Sequence, residues 1–200
     1  MEAPARTIHF EDAALVGQIQ AGDVQAYAHL VSKYQDKVFN TCWRICGNLD
    51  DAADITQDAF LKALESIGSF RGASSFYTWL FRIAVNLALS HRRKAARIRC
   101  ETLDGPDESY MLSAWNQKGR TADDPTARTD DAEVRAHVAE ALRTLDEQHR
   151  AAIVLRDIEG FDYDQIAEIL NVPKGTVKSR IARGRQALRE ALGPYADADG

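Results

Sequence analysis

Apolar residues recur at steps of three and four positions along most of this 200-residue chain, which is the spacing of amphipathic α-helices. Asp23 is a plausible N-cap for the first long run, and Gly47 and Gly68 follow the last apolar positions of two successive runs, where glycine commonly ends a helix. In the first half of the chain the pattern predicts helices over about 12–20, 24–46, 51–67 and 76–97.

The helical spacing breaks down over residues 100–131, which contain two prolines and two glycines, and it returns over 134–145 and 147–158. No strand-like alternation of useful length occurs. We therefore expect an all-α protein with two small helical domains joined by an acidic flexible linker. The predicted division is a first domain over 1–100, a linker over 101–131, a second domain over 132–193 and a tail over 194–200.

The C-terminal segment has the pattern of a helix-turn-helix. A short helix over 163–170 is followed by a turn over 171–174 and by a second helix from about 175 to 192. Ile166, Leu170, Val177 and Ile181 supply the apolar corner of such a unit, and the opposite face of the second helix is basic. This arrangement is typical of a helix that enters the major groove of DNA.

The charge distribution supports binding to a polyanion, although the net charge is −5. Residues 66–100 contain seven Lys and Arg and no acid, and residues 174–189 contain six and no acid. The alternative interpretation of both stretches is ordinary solvated helix faces. No run of about 18 apolar residues predicts a membrane span, and the N-terminus lacks the pattern of a signal peptide. The three cysteines are an odd number, which argues against a disulfide scaffold and fits a reducing compartment, so we expect a cytoplasmic protein without direct membrane insertion.

No pattern of catalytic residues is present. The five histidines are scattered, and the chain lacks the common nucleophile, phosphate-loop and metalloprotease motifs. Cys42 and Cys46 have a spacing that could hold two metal ligands, but both lie on or beside the apolar stripe and are expected to be core thiols. We therefore expect no catalytic residue, metal, cofactor or small-molecule substrate.

Five segments in order resemble the bacterial sigma factors of the extracytoplasmic-function (ECF) group: YQDKVFN, DAADITQDAFLKA, SFRGASSFYTWLFRIAVN, LRDIEGFDYDQIAEIL and VPKGTVKSRIARGRQAL. The resemblance covers nearly the whole chain except the tail and the linker interior. It implies that the first domain is sigma region 2 and the second is region 4. It also implies three partners: core RNA polymerase through its β′ clamp and β flap, promoter DNA, and an anti-sigma factor.

The resemblance assigns polymerase binding to the acidic helix of region 2, through Asp54, Gln57 and Asp58. Carboxylates at the start of an exposed helix would pair with arginines of the β′ clamp. The alternative is that they only compensate the positive end of the helix dipole, and both roles can hold together.

The resemblance assigns the minus-ten promoter element to the loop 71–75 and the helix after it. The loop would hold an extruded base, Asn86 would act as a buried helical asparagine bonding a base edge, and aromatic rings would stack on single-stranded bases. For these rings, and most of all for Trp79, the alternative is ordinary core packing. The residues assigned to this element are Arg71, Ser74, Ser75, Phe76, Tyr77, Arg82, Asn86, Arg92 and Arg93.

The resemblance assigns the minus-thirty-five element to region 4. Lys178, Ser179 and Arg183 would face bases, whereas Arg180 and Arg185 would grip phosphate or support the helix. Lys178 stands where arginine is frequent in the family, and Ala182 stands where a larger residue can occur, so the exact promoter sequence does not follow. The full set is Tyr163, Lys174, Thr176, Lys178, Ser179, Arg180, Arg183 and Arg185.

The function implied is that of a sigma factor, which directs core RNA polymerase to specific promoters and initiates DNA-templated transcription. The acidic linker would lie on basic polymerase surfaces, or it would be a plain solubilising tether. The rival function is a stand-alone helix-turn-helix regulator that acts without polymerase, which would leave the acidic helix and the segment FYTWLFRIAVN without a role.

Overall fold

The computed structural model describes residues 5–101 and 137–196, and every regular element in these two ranges is helical. The first range contains α1 (Ala5–Gln20), α2 (Gln25–Cys46), α3 (Leu49–Ser66), a 3-10 turn (Ile67–Ser69) and α4 (Phe76–Glu101). The second contains α5 (137–144), α6 (Glu147–Ile153), a π-helical turn (Val154–Ile158), α7 (Tyr163–Leu170) and α8 (Lys174–Ala196). The all-α prediction is confirmed, whereas most of the predicted linker and residues 197–200 lie outside the described residues.

The helix ends differ from the prediction where polar side chains satisfy the first backbone amides. Asn48 is the N-cap of α3, since its side-chain oxygen accepts from the amides of Asp50 and Asp51 at 2.8 and 3.1 Å. The helix therefore begins before the two acids that the pattern favoured. Gly47 has φ 79° and ends α2 as predicted, because this left-handed conformation favours glycine.

An apolar stripe along α2 forms the centre of the first core, which belongs to residues 5–101. Leu30, Val38, Cys42 and Ile45 have no exposed surface and pack against α3 and α4. α1 is tied to this core by a buried polar contact, in which Asp12 accepts hydrogen bonds from Lys33 Nζ at 2.6 Å and from the Tyr34 hydroxyl. A buried carboxylate is tolerated here because both donors compensate its lost hydration.

The second core is built by α6, α7 and α8, and helix α8 approaches α6 closely at Gly184. A Cβ at that position would lie 2.7 Å from Ile153 Cγ1 and 3.3 Å from the His149 carbonyl oxygen. Real Cβ atoms do not approach so closely, so only glycine fits this crossing without a shift. α8 is thereby held by its inner face, which leaves its other face to solvent.

Residues 5–101 form a first helical unit and residues 137–196 form a second. The two units pack against each other in this structure, and α7 packs on α4. Phe161, which is 2% exposed, stacks on Tyr77 with ring centroids 4.9 Å apart and contacts Phe81 at 5.1 Å. The aromatic contact joins the two cores into one continuous apolar cluster. Within the described ranges, no helix combines the length and apolar character needed to cross a bilayer.

Candidate nucleic-acid and polymerase interfaces

The turn between α7 and α8 has the geometry of a helix-turn-helix, fixed by caps at both ends of α7. Asp162 and Gln165 form a capping box at its start. At its end Asn171 takes the left-handed conformation with φ 52°. The amides of Asn171 and Val172 donate to the carbonyls of Glu168 and Ala167 at 3.3 and 3.1 Å. This Schellman arrangement stops α7 and redirects the chain into α8.

The two faces of α8 separate packing residues from polar ones. Val177 and Ile181 are buried in the second core, at 0% and 2% exposure. Lys178, Ser179 and Arg183, which the sequence assigns to base contacts, are all exposed on the other side of the helix. The helix therefore presents long and short hydrogen-bond donors together near its N-terminal half, the geometry with which a recognition helix reads base edges.

The remaining residues assigned to the upstream element differ in their surroundings. Arg185 makes a bidentate ion pair with Asp157, with Nε 3.1 Å from Oδ2, and this hydrogen bond raises the pKa of Arg185. The contact favours the helix-supporting alternative for Arg185. Lys174 Nζ lies 2.7 Å from Asp164 Oδ2 at the start of α8.

The rest of this set lies around the same turn. The guanidinium of Arg156 lies over the ring of Tyr163, 5.0 Å from its centroid. Thr176 and Arg180 are half-buried, and the Ser179 hydroxyl donates to the Thr176 carbonyl at 2.9 Å.

The acidic residues of α3 are exposed, and an apolar groove lies beside Gln57 on the same helix. Asp54, Gln57 and Asp58 are all exposed, as the polymerase assignment requires. Gln57 also lines a groove between α2 and α3, whose apolar rim includes Phe39 and Leu61. Leu61 is 51% exposed, which is unusual among the leucines that the structure describes. The groove was missed from the sequence, although a solvent-facing leucine one turn after the acids was a signal for it.

The loop before α4 combines exposed and structural residues. Arg71 is exposed, and Ser74 is half-buried. Ser75 is a helix cap, because its hydroxyl accepts from the amide of Thr78 at 3.0 Å.

Phe76, predicted to stack on bases, is only 2% exposed and lies in an aromatic cluster with Tyr34, Phe70 and Trp79. The ring of Phe76 is therefore not accessible to a base in this structure, which favours its core alternative. Trp79 is buried too, in agreement with its core alternative.

Four residues assigned to minus-ten DNA contact the second helical unit. Arg82 Nη1 lies 3.4 Å from Glu168 Oε1, and Arg92 Nε lies 3.2 Å from Glu147 Oε1. Asn86 is exposed rather than buried, and its amide donates to the Ile169 carbonyl at 3.4 Å. Tyr77 donates to Glu159 Oε2 at 3.3 Å.

The last two basic residues of this set also make contacts within α4 and α2. Arg92 Nη1 donates to the carbonyls of Ile45 and Cys46 at 3.1 and 3.2 Å, so Arg92 caps the end of α2 as well. Arg93 is exposed, and its guanidinium donates to the Leu89 carbonyl and to the Ser90 hydroxyl.

Sequence reasoning missed two residues that join the helical units. Glu159 is 9% exposed at its side chain and accepts from Thr41 Oγ1 at 2.7 Å, with Arg44 Nη1 at 3.8 Å. Arg150 is 1% exposed and donates to Ile45 O at 3.0 Å and Leu145 O at 2.9 Å. Helical periodicity gives no signal for the contacts with Thr41 and Ile45, because these residues lie more than 100 positions away in the sequence.

The cysteine thiols of α2 lie in the core rather than in a ligand site. Burial raises the pKa of Cys42 and of Cys46 to about 12, so both stay protonated at neutral pH. The core-thiol prediction agrees with these surroundings. Within residues 5–101 and 137–196, no group of three or more His, Cys, Asp or Glu side chains is arranged to hold a metal ion.

The sequence matches two family models in chain order. Residues 30–98 match Sigma-70 region 2, and residues 135–188 match Sigma-70, region 4. The RNA polymerase sigma-H factor of Pseudomonas aeruginosa is 38% identical over 184 residues, which are 92% of this chain and 95% of that protein. The ECF RNA polymerase sigma-E factor of Haemophilus influenzae is 39% identical over 189 residues, covering 92% and 96%.

A similar fold occurs in solved structures. The sigma factor RpoE of Bartonella quintana, solved in complex with the anti-sigma factor NepR, has a TM-score of 0.67 and 26% identity. The match covers 85% of this chain and 98% of that one. CnrH, solved with the cytosolic domain of CnrY, has a TM-score of 0.65 at 24% identity and covers 92% and 99%, which shows the shared fold.

The region 2 match accounts for α2, α3 and α4, which a stand-alone helix-turn-helix regulator would not need. The rival function is therefore not favoured. Sigma factors are initiation factors, and the chemistry of transcription belongs to the polymerase they bind. The chain belongs to the extracytoplasmic-function group of sigma-70 factors, which direct core RNA polymerase to specific promoters and initiate transcription there.

Proposed function

We propose that α8 reads the minus-thirty-five element through Lys178, Ser179 and Arg183. The carrying observation is that these three side chains are exposed together on a helix whose inner face is fixed by Val177 and Ile181. Arginine can bond a guanine edge with two parallel donors, whereas lysine acts as a point charge. Arg183 is therefore the residue with the greatest capacity to select a base.

The experiment compares Arg183→Ala with Arg180→Ala on a library of promoter variants bound by the holoenzyme. Arg183→Ala is expected to cost about 1–3 kcal/mol on the preferred sequence and to relax preference at one or two positions. Arg180→Ala is expected to weaken binding to all sequences alike. It should also reduce the slope of log affinity against log salt concentration by about one unit. Identical profiles for the two variants would remove the division between base and phosphate contacts.

We propose that α3 binds the β′ clamp of core polymerase through Asp54, Gln57 and Asp58, and that the adjoining groove receives an apolar side chain of the clamp. The supporting observation is that Gln57 and the exposed Leu61 line the same groove, while Asp54 and Asp58 are exposed on the same helix. A polar rim around an apolar centre is the usual form of a specific protein interface. A helix-dipole role alone would not require Leu61 to be exposed.

The test reverses Asp54 and Asp58 to lysine and measures affinity for purified core polymerase. Reversal of interfacial charges that face arginines costs several kcal/mol, so a loss of at least about tenfold is expected. The matched control reverses Glu140 and Glu190, two exposed acids of the second helical unit, and changes the net charge by the same amount. Equal affinities of the two variants would contradict the clamp assignment.

We propose that the loop 71–75 and the exposed face of α4 hold the melted minus-ten strand. Arg71, Asn86 and Arg93 are exposed donors along this surface, and acids are absent from the sequence over 66–100. Asn86→Ala with a shortened loop is expected to keep polymerase binding and to lose permanganate reactivity of unpaired thymines. A template with a pre-melted bubble should restore part of the activity, because the opening is already supplied. Full reactivity in the variant would contradict the pocket.

We propose that the protein acts in the cytoplasm without catalytic residues, cofactor or metal of its own. We also propose that its domains are 1–100 and 132–193, with a linker over 101–131.

We propose two further contacts: region 4 would also contact the β flap, and an anti-sigma factor would hold the protein inactive. The anti-sigma proposal is supported by the NepR complex of the similar Bartonella quintana factor. Co-purification of the tagged chain from its host, followed by run-off transcription with core polymerase, tests these partners together.

A further inference from the structure

The loop 71–75, to which the minus-ten strand is assigned above, is fixed at its two ends and not in between. Within the described ranges, residues 71–74 make no hydrogen bond. At the far end of the loop, the Ser75 hydroxyl accepts from the amide of Thr78 at 3.0 Å, and the next residue, Phe76, is buried. The path of the loop therefore depends on where its two ends are placed.

The near end of the loop is held by a side chain from α1. Gln20 Nε2 donates to the carbonyl oxygens of Ile67 and Phe70 at 2.8 and 3.0 Å. A side-chain amide has two N–H donors, so it can make both bonds at once. The Ile67 carbonyl also accepts from the Phe70 amide at 3.1 Å, which closes the 3-10 turn before the loop. Gln20 therefore connects α1 to both ends of this turn, and Phe70 is the residue from which the loop starts.

α1 is itself firmly packed, so it can act as a support for the turn. Its inner face is buried at Val16 and Ile19, with 4% and 7% exposure. The buried carboxylate of Asp12 accepts from the Tyr34 hydroxyl, and the ring of Tyr34 lies 6.1 Å from that of Phe76. α1 is thus connected to the residues on both sides of the loop.

The Sigma-70 region 2 match covers residues 30–98, so it assigns no role to α1. We propose that α1 belongs to the minus-ten reader, and that Gln20 is a positioning residue that fixes the start of the loop 71–75. The proposal rests on the minus-ten assignment made above. A binding site discriminates between similar ligands only when its walls are held in place by supporting contacts. Without the two bonds from Gln20, the loop would adopt more conformations and would hold correct and incorrect bases more equally.

The test compares Gln20→Glu with Gln18→Glu. A carboxylate has nearly the shape of the amide but no N–H, so both bonds to the turn are lost at position 20. Gln18 is exposed in the same last turn of α1, and its side chain makes no hydrogen bond within the described residues. The control is therefore matched in net charge and in distance from the helix end. Gln20→Lys supplies donors again, with Gln18→Lys as its control, and circular dichroism checks that each variant is folded.

Cleavage after Arg71 by an arginine-specific protease measures the freedom of the loop without any DNA. Proteases cut exposed loops through locally open states, so the rate follows the population of those states. In the full chain, Gln20→Glu is expected to be cut at this bond at least about fivefold faster than Gln18→Glu, because two hydrogen bonds are lost. Gln20→Lys should be cut more slowly than Gln20→Glu. Equal rates for Gln20→Glu and Gln18→Glu would overturn the proposal.

Base selection by the holoenzyme is measured on a library of fork templates, which are duplex upstream and carry a randomised single-stranded minus-ten segment. Sequencing of the bound templates gives the preference at each position. Gln20→Glu is expected to reduce the preference at one or two minus-ten positions by at least about threefold, as for the loss of one base contact. Gln18→Glu should keep the wild-type preference, and both variants should keep wild-type affinity for core polymerase and for the upstream element.

The shortened-loop variant with Asn86→Ala is the reference that separates this proposal from the assignment on which it rests. If that variant loses the minus-ten preference while Gln20→Glu keeps it, the positioning role of Gln20 is overturned and the minus-ten assignment stands. If the shortened-loop variant keeps the preference, the minus-ten assignment is overturned and this proposal with it.

Discussion

Removal of the buried guanidinium of Arg150 should be among the most destabilising single substitutions in this protein. Its Nη1 donates to Ile45 O at 3.0 Å, and its Nη2 donates to the carbonyls of Arg143 and Leu145. Arg92 also donates to Ile45 O, so that carbonyl keeps a partner when Arg150 is removed. The carbonyls of Arg143 and Leu145 would each lose this donor, and each loss should lower the free energy of unfolding by about 1–3 kcal/mol. The expected loss for Arg150→Ala is therefore about 2–6 kcal/mol.

Urea unfolding followed by circular dichroism, extrapolated linearly to water, measures this loss. Burial and the neighbouring Arg92 lower the pKa of Arg150 to about 10, so the side chain is charged at pH 7 and all three bonds are charge-assisted. Arg150→Lys should recover part of the stability, because an ammonium can reach only some of the three carbonyls.

The matched control is Arg143→Ala. Its guanidinium pairs with Glu140 at 3.2 Å on the surface, and both side chains are partly exposed. Such a pair is worth no more than about 1 kcal/mol. If Arg150→Ala lowers the free energy of unfolding as little as Arg143→Ala does, the three backbone contacts do not stabilise the fold and the reasoning is refuted.

Three further outcomes are expected. Gly184→Ala should destabilise by about 1–3 kcal/mol through overpacking against α6, whereas Gly193→Ala, with open space around it, should be neutral or stabilising in thermal melts. Asn171→Val should lower the melting temperature and Asn171→Gly should not, because φ 52° is costly for a β-branched residue. In a Cys100→Ser background, Cys42 should resist thiol reagents at pH 8 until urea is added. Because its folded pKa of about 12 exceeds the unfolded value near 9, stability should fall as pH rises from about 9 towards 12, and Cys42→Ala should flatten that fall.

The helices and their inner faces were predictable because burial repeats with the helical period. Ile166, Leu170, Val177 and Ile181 were placed in the apolar corner of the helix-turn-helix from spacing alone, and all four are buried. The exposed donors of α8 followed from the same periodicity, since residues opposite the buried stripe must face solvent. These features depend only on neighbours within one helix.

The misplaced residues depend on contacts between distant segments. Phe76 was expected to be available to bases, but Tyr34 and Phe70 enclose it from two other parts of the chain. Asn86 was expected to be buried, although it faces outwards and meets the backbone of α7. Spacing within a helix shows which residues share a face, but the element that packs on that face is set by the tertiary fold.

The second helical unit carries opposite charges on two of its surfaces. Its acids Glu147 and Glu168 pair with arginines of α4, whereas Lys178 and Arg183 on α8 remain exposed. Contacts between basic side chains and DNA phosphates are independent of sequence. An arginine that is already paired with a carboxylate of the same chain adds less to this attraction than an unpaired one. The two ion pairs therefore lower the non-specific attraction of α4 to DNA, while Lys178 and Arg183 on α8 keep their full charge.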